Sequence, residues 1–549
     1  MEVDLSNSDG ECEDINEWLL EYLWLTPALF ISLLTYSSYL ATHQFPAFGG
    51  GLFLSISEQI ANNGYQFPRV VPQYTANGVP FAYPPLIFYS LSALHGILGV
   101  DLFMLSRFLP GVITIASLVP FYLLSKSLLQ TPKRAGLASF ILAVTPAFVR
   151  WHFSAGGIVR APAFFFSLAG LYTALRLCKT GSRRWIVPTI VWFTLTALTH
   201  PEYAVFLAIG ISVFTVRYAP SVQGFTDAIL VGICGVILTV PWWGRIISIY
   251  SLENLVSASS THGGLGGGLG VIVDVVFTPQ QLSAGISPSP NLYGIVLLSL
   301  WYAIPAAGVV YLLAERRLFL PSWLLLVGGT TGETRFIAVI GSLVTAVFVL
   351  DGAVPWIAQR IEPVLSRQHT LTAILLVLSL LGANIMTLYV SGSVNEYEGS
   401  NSMPSFIDEQ DYAAMQWVQR NIDSSAEFMV IGDAAEWFPY LANRTNVVGP
   451  WGVEWERSSV AYQWQHTAYQ RISTAKSADD LDKNIALTET NPDYIYVPKG
   501  AYTVYGRKYK QQRAFITGLN RSDEYRQVYQ NQGVIIYERK SDVSTSNNG

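Results

Sequence analysis

Apolar runs of roughly helix-spanning length, divided by short polar turns, recur from residue 22 to residue 391. A helix that crosses the hydrocarbon core needs about 20 mainly apolar residues. On that criterion eleven spans are expected, at residues 22–42, 104–127, 135–150, 158–178, 185–200, 202–217, 224–247, 292–314, 319–331, 336–352 and 369–391. The run 319–331 is short enough to be half of a broken helix. No repeat with a period of 20–50 residues is evident.

The stretch 84–99, "PPLIFYSLSALHGILG", is apolar but short and opens on two prolines. Charge placement decides how to read it. If it lies along the surface or re-enters, the basic clusters Lys126/Lys133/Arg134, Arg176/Lys179/Arg183/Arg184, Arg316/Arg317 and Arg360/Arg367 all fall on one side. If it spans, the first two clusters face away from the others. The excess of Lys and Arg expected in cytoplasmic loops therefore favours a non-spanning segment. This arrangement puts the N-terminus in the cytoplasm and the C-terminus outside. Residues 1–21 form an acidic cytoplasmic tail, 22–391 the membrane domain, 43–103 its first external loop and 250–291 a flexible, Gly/Ser-rich external loop.

From about residue 400 the pattern changes. Charged helical stretches such as "DEQDYAAMQWVQRNI" alternate with short strand candidates, "AEFMVIGD", "NPDYIYVP" and "GVIIYERK". This predicts a small extracytoplasmic α/β domain over 400–540, followed by a disordered tail, 541–549. Two N-x-S/T sequons, at Asn443 and Asn520, fit an external location. The expected fold class is thus an α-helical polytopic membrane protein with a small C-terminal α/β domain.

Composition agrees with a membrane protein. Of the 549 residues, 51% are hydrophobic and only 13% charged, against roughly 25% charged in soluble domains. The net charge of -5 gives no support for nucleic-acid binding. The first 22 residues are rich in Asp and Glu and hold no Lys or Arg, unlike the basic start of a secretory signal, so the first run is expected to stay as an anchor. Cys12, Cys178 and Cys234 lie in the tail or in apolar runs and imply no disulfide framework.

Polar groups gather at the expected outer ends of the spans: Arg150, His152 and Arg160 in "RWHFSAGGIVR", His200 and Glu202 in "THPEY", Arg245 in "PWWGR", Glu333 and Arg335 in "GTTGETRF". Several cations converging at a membrane surface suit an anionic ligand at headgroup depth, and the planar guanidinium fork suits phosphate. The plainer reading is that each Arg snorkels to the interface.

In the first loop, Gly49–Gly51 reads as a hinge ahead of an amphipathic helix, "LFLSISEQIANNGY", that carries Glu58. Glu58 is either a solvated charge on an interfacial helix or a general base within reach of an acceptor hydroxyl. The rest of the loop, with Tyr65 and Tyr83 among several Pro and Gly, offers aromatic faces that stack on sugar rings. No Walker A, no G-x-S-x-G, no Cys/His grouping with zinc spacing and no D-x-D pair in the outer loop is present. No metal and no cofactor is expected.

The order "GYQFP", "FAYPPLIFY", "LGVDLFMLSRFLP" and "FYLLSKSLL…AGLASFILAVTPAFVRWH" resembles the membrane-embedded GT-C glycosyltransferases that use polyprenyl-phosphate sugars, relatives of protein O-mannosyltransferases and lipid A aminoarabinose transferases. The late Arg335-Phe336 matches an Arg-Phe/Tyr that recurs in that superfamily, and the tail "DAAEWFPYLANRTNVVGPWGVEW" is similar to external domains of its archaeal members. The resemblance covers residues 20–350 and, more loosely, the tail. It implies interfacial helices in the first external loop and an inverting transfer of one hexose, mannose above all, from a dolichyl-phosphate donor. The acceptor would be a glycan on the outer face, protein-bound or lipid-linked.

Arg150, His152, Arg160, Arg245 and Arg335 would then bind the lipid phosphate, while Tyr65, Tyr83 and His200 would hold acceptor or sugar. The family normally places an Asp near the junction of the first span and its loop. Here "HQFPAFGGG" has no acid, which leaves Glu58 and Glu202 as base candidates. The competing class is a non-catalytic transporter or glycan-assembly subunit on the same scaffold. A transporter would carry ionisable residues at mid-membrane, whereas these spans are nearly free of them.

Overall fold

The computed structural model of the chain describes residues 21–252, 292–361, 366–394, 401–455 and 459–540. The expectations for residues 1–20, most of the loop 250–291 and the tail 541–549 lie outside the described residues.

Among the described residues six helices are long and apolar enough to cross a membrane: Leu23–Thr42, Leu102–Leu129, Gly157–Thr180, Val296–Ala314, Thr334–Arg360 and Gln368–Val390. The count becomes eight if two bent pairs, Pro132–Ala143 with Pro146–Phe153 (57°) and Val222–Leu238 with Val240–Tyr250 (54°), each count as one span. The eleven expected spans are therefore not matched one for one among the described residues. Prolines explain both bends: Pro146 and Pro241 follow residues that they push out of the helical region or deprive of a backbone donor. Phe319–Thr331 and Leu86–Leu98 are shorter apolar helices. Leu86–Leu98 packs on Gly51–Asn62, the two being joined through Ser92 Oγ and the Ser57 carbonyl at 2.5 Å.

Residues of three of the basic clusters meet at one end of the bundle. Asp351 accepts from Arg134 Nη2 at 2.7 Å and Arg317 Nη1 at 3.1 Å, Lys126 pairs with Glu21, and Lys179 donates to the Ser127 carbonyl.

At the opposite end, residues 401–540 build a five-stranded sheet from β3 (Glu427–Val430), β4 (Thr445–Asn446), β5 (Tyr494–Pro498), β8 (Tyr525–Gln530) and β9 (Val534–Arg539), in the order β4-β3-β5-β9-β8. The β3 pairings are parallel; those of β9 with β5 and β8 are antiparallel. Two ribbons flank the main sheet, β1 (Val70–Val71) with β2 (Val79–Pro80) in the first loop, and β6 (Ala501–Val504) with β7 (Arg507–Lys510). Phe428, Val430, Tyr496, Val497, Ile536 and Tyr537 bury the faces of the sheet.

This core does not stop at the tail. Leu54, Ile60, Phe81 and Phe88 of the first loop belong to the same buried cluster as Trp437, Phe438 and Tyr496. Loop and tail are thus one packed body by the hydrophobic criterion, and backbone bonds support the joint: Phe48 N to the Pro404 carbonyl (2.8 Å) and Asn446 N to the Gln73 carbonyl (2.8 Å).

The triple glycine is part of this joint and is not a hinge. A Cβ at Gly49 would lie 2.4 Å from Glu436 Cδ, one at Gly50 2.7 Å from Ala155 Cβ, and one at Gly51 2.6 Å from the Glu436 carbonyl oxygen. At Gly49 and Gly51 the tail, and at Gly50 Ala155, approaches too closely for a side chain.

Candidate active site

Gly332, in the left-handed region (φ 65°), ends helix Phe319–Thr331, and the chain re-enters a helix at once with Glu333 as its N-cap. Arg335 therefore sits in the first turn of Thr334–Val347 and is only 4% exposed. A cation at a helix N-terminus opposes the macrodipole, so burial there needs compensating anions. Two are present: Glu333 Oε2 lies 3.1 Å from Arg335 Nη1, and Glu202 pairs with Nη2. Glu202 itself occupies the first turn of Pro201–Tyr218, behind Pro201, where an acid is favoured. Arg335 Nε is buried without a hydrogen-bond partner.

His152 is fully buried and held from both ring nitrogens, by the Phe148 carbonyl at 2.5 Å and the Tyr203 hydroxyl at 2.8 Å. The Tyr203 ring lies 5.2 Å from the Arg335 guanidinium and 5.1 Å from the His200 ring. Tyr83 meets His200 edge-on at 5.9 Å and Trp455 at 6.1 Å. Burial pushes the Tyr83 hydroxyl up to about 12, against the pull of Arg160 and Arg335, with Glu202 and Glu454 adding to the rise. Arg160 and Arg150 share the indole of Trp151, at 5.0 and 4.9 Å. Gly156 makes room for Arg160, since a Cβ there would lie 2.3 Å from its Nη1. Arg160 Nε, like that of Arg335, is buried without a partner.

Six of the residues marked by sequence therefore gather at one end of the bundle: Glu202, Arg335, His152, Arg160, Tyr83 and His200. Arg150 joins through Trp151. Arg245 is exposed on helix Val240–Tyr250, over Phe67 at 5.0 Å, and that helix docks on the loop through Trp242 Nε1 and the Ala82 carbonyl at 3.3 Å.

Two residues lie apart from the cluster. Tyr65 is exposed, and its hydroxyl donates to the Ser92 carbonyl at 3.2 Å, tying the two loop helices together. Glu58 is exposed on Gly51–Asn62, and the charged groups acting on it are His95 and Asp101. Desolvation raises its carboxyl above the usual range, with Asp101 adding and His95 opposing.

Sequence reading assigned no role to Tyr203, Trp455 or Glu436. Tyr203 stands in the quoted "THPEY". Glu436 is the one acid in the apolar helix Ala434–Ala442, "AAEWFPYLA", and that isolation was a legible signal for a buried, partnered carboxylate.

No family model and no curated protein matches the chain. Solved structures do. The Archaeoglobus fulgidus oligosaccharyltransferase tethered with an acceptor peptide containing the NVT sequon superposes with a TM-score of 0.55 at 14% identity, over 88% of this chain and 70% of that one. The archaeal oligosaccharyltransferase AglB of the same organism, in complex with an inhibitory peptide and a dolichol-phosphate, gives 0.54 at 14% identity over 90% and 74%. ArnT from Cupriavidus metallidurans, bound to undecaprenyl phosphate, gives 0.51 at 10% identity over 95% and 99%. At these identities the likeness shows the fold alone, the one that this chain shares with these three structures.

Proposed function

We propose that this protein is a lipid-phosphate-dependent glycosyltransferase that moves one hexose, mannose in the first instance, from a dolichyl-phosphate donor to a glycan acceptor. The reaction takes place at the membrane face that carries the C-terminal domain, which is the outer face. The observation that carries the reading is the buried Arg335, held by Glu202 and Glu333 in the neighbourhood of Arg160 and Tyr83.

In this reading Glu202 accepts the proton of the acceptor hydroxyl as that oxygen attacks the anomeric carbon. The bond from that carbon to the phosphate oxygen breaks, and the configuration inverts. The polyprenyl phosphate leaves with the bonding pair, and Arg335 and Arg160 stabilise the charge that grows on it. Each has a buried Nε donor without a protein partner, which suits a site built for an oxygen-rich anion. Tyr83 and His200 border the acceptor side. The leaving group is a monophosphate on a lipid, so a nucleotide-binding motif has no part in the scheme.

The test is deletion of the gene in its host, with surface glycans read by mass spectrometry. Glycans lacking one hexose, restored by the wild-type gene and not by Arg335→Ala, are expected. Unchanged glycans in the deletion strain would remove the assignment.

A further inference from the structure

Between the first loop and the tail lies an open groove of about 590 Å³, within the size range of small-ligand sites. It is lined by the β1–β2 turn, which includes Asn77, by helix Ser459–Ser473 with Trp464 and Gln465, and by the segment Thr488 to Thr490. Trp464 is 39% exposed, a large apolar face left open to solvent among amides and hydroxyls. The Gln465 amide is fixed, its Oε1 accepting from Gly449 N at 3.0 Å. Thr488 and Thr490 pair through their hydroxyls at 2.7 Å. Among the lining residues the only charged one is Glu489, so the groove has no cation to pair with a phosphate or another anion. An open indole ringed by amides and hydroxyls fits a neutral ligand with apolar C–H faces and many hydroxyls.

The groove lies a short stretch of chain from the candidate active site. From Asn77 the chain runs through β2 to Tyr83, six residues that span at most roughly 20 Å. Two aromatic side chains lie near its two ends. A Cβ on Gly449, bonded to Gln465, would lie 3.3 Å from the ring of Trp451, and Trp455, a few residues on, meets Tyr83 at 6.1 Å. Trp451 and Trp455 are both half-buried.

We propose that the groove at Trp464 is a carbohydrate-binding cleft that holds the distal part of an oligosaccharide acceptor, with Trp451 and Trp455 leading its reactive end to Tyr83. The assignment of the ligand as acceptor rests on the transferase reading above; the cleft's affinity for neutral sugar does not.

The full-length protein in detergent would be titrated calorimetrically with neutral hexasaccharides of mannose, glucose and N-acetylglucosamine. At least one binds, and Trp464→Ala weakens it by about tenfold. The exposed position of Trp464 spares the core, and an unchanged thermal unfolding midpoint would verify that. In transfer assays the same variant raises KM for the acceptor, with kcat and the donor KM unchanged. Failure of all three sugars to bind, or an affinity within twofold after Trp464→Ala, overturns the cleft. So does a sugar-free sequon peptide binding there in their place. Transfer that survives with an unaltered acceptor KM removes the cleft and leaves the transferase reading standing. Sugar binding at Trp464 in a protein that transfers nothing removes the transferase reading and leaves the cleft.

Discussion

Glu436 Oε2 accepts the backbone N–H of Gly51 at 3.0 Å although the two residues are 385 positions apart. The same oxygen takes the Gly50 N–H at 2.8 Å, and Oε1 takes that of Leu52 at 3.2 Å. A helix start leaves its first N–H groups without partners, and here the tail supplies the cap that Gly50, lacking a side chain, cannot. The first loop helix is thereby held by the C-terminal domain, and everything the loop positions, Tyr83 included, depends on that docking.

Gly51→Ala tests the joint. Its Cβ would meet the Glu436 backbone at 2.6 Å, and backbone does not yield as a flexible side chain does, so a loss of about 1–3 kcal/mol is expected. Gly232→Ala is the control: a Cβ there meets nothing within 4 Å, and Ala in a helix interior is neutral or mildly stabilising. Thermal unfolding of both variants in one detergent should separate them. Equal midpoints would restore the hinge reading.

The same carboxyl makes stability depend on pH. Burial pushes Glu436 up to about 7 from the usual 4.5, against the three N–H donors that favour its charged form. A folded value above the unfolded one means that the folded protein binds more protons between these limits. Its contribution is therefore complete below about pH 4.5 and lost as pH rises through 7. Glu436→Gln removes this titration, so the midpoint-against-pH curve of the variant should be flatter than wild type between pH 5 and 8. Parallel curves would show that Glu436 does not titrate there.

How far the sequence exposes these features follows from the reach of each signal. Span-length apolar runs, the α/β texture after residue 400 and the polar turns at 199–203 and 329–336 are local, and hydropathy or periodicity reveals them. Span count was less legible: Pro146 and Pro241 bend two of the runs, and the runs 185–200 and 319–331 form helices of only 12 and 13 residues, which apolar composition alone does not tell from spans. Glu202 and Arg335 could be chosen as candidates but not paired, since 133 positions separate them. Glu58 drew notice as an isolated acid in an amphipathic helix, yet a linear pattern does not reveal that its charged neighbours are His95 and Asp101. The Glu436 cap was hidden for the same reason: a hinge and a close-packed joint both call for glycine.

Tyr203→Phe should destabilise the protein. It removes the hydroxyl 2.8 Å from His152 Nε2 and leaves a fully buried ring nitrogen without its partner, at a cost of about 1–3 kcal/mol. The Phe ring keeps the packing against Phe336, now 4.9 Å between centroids. A thermal midpoint equal to wild type would mean that the His152–Tyr203 bond contributes nothing net.

The division of labour among the carboxylates gives the sharpest kinetic test. If Glu202 takes the acceptor proton, Glu202→Gln should lower kcat by roughly 10²–10⁴-fold, with donor binding changed little. Arg335→Lys keeps the charge but loses the planar fork, so transfer should fall about 10²-fold or more, chiefly in kcat. Removing both partners also tests whether the ion pair is only structural. A Glu202→Gln/Arg335→Lys double variant no worse than the weaker single one marks a shared step, because residues that act as a unit are strongly non-additive. Glu58→Gln, whose charged neighbours are His95 and Asp101 and not Arg335, should stay within about twofold of wild type, well below a catalytic loss. The opposite pattern, Glu58→Gln inactive and Glu202→Gln active, would move the base to the first loop helix and leave Glu202 as a counter-ion that keeps Arg335 buried.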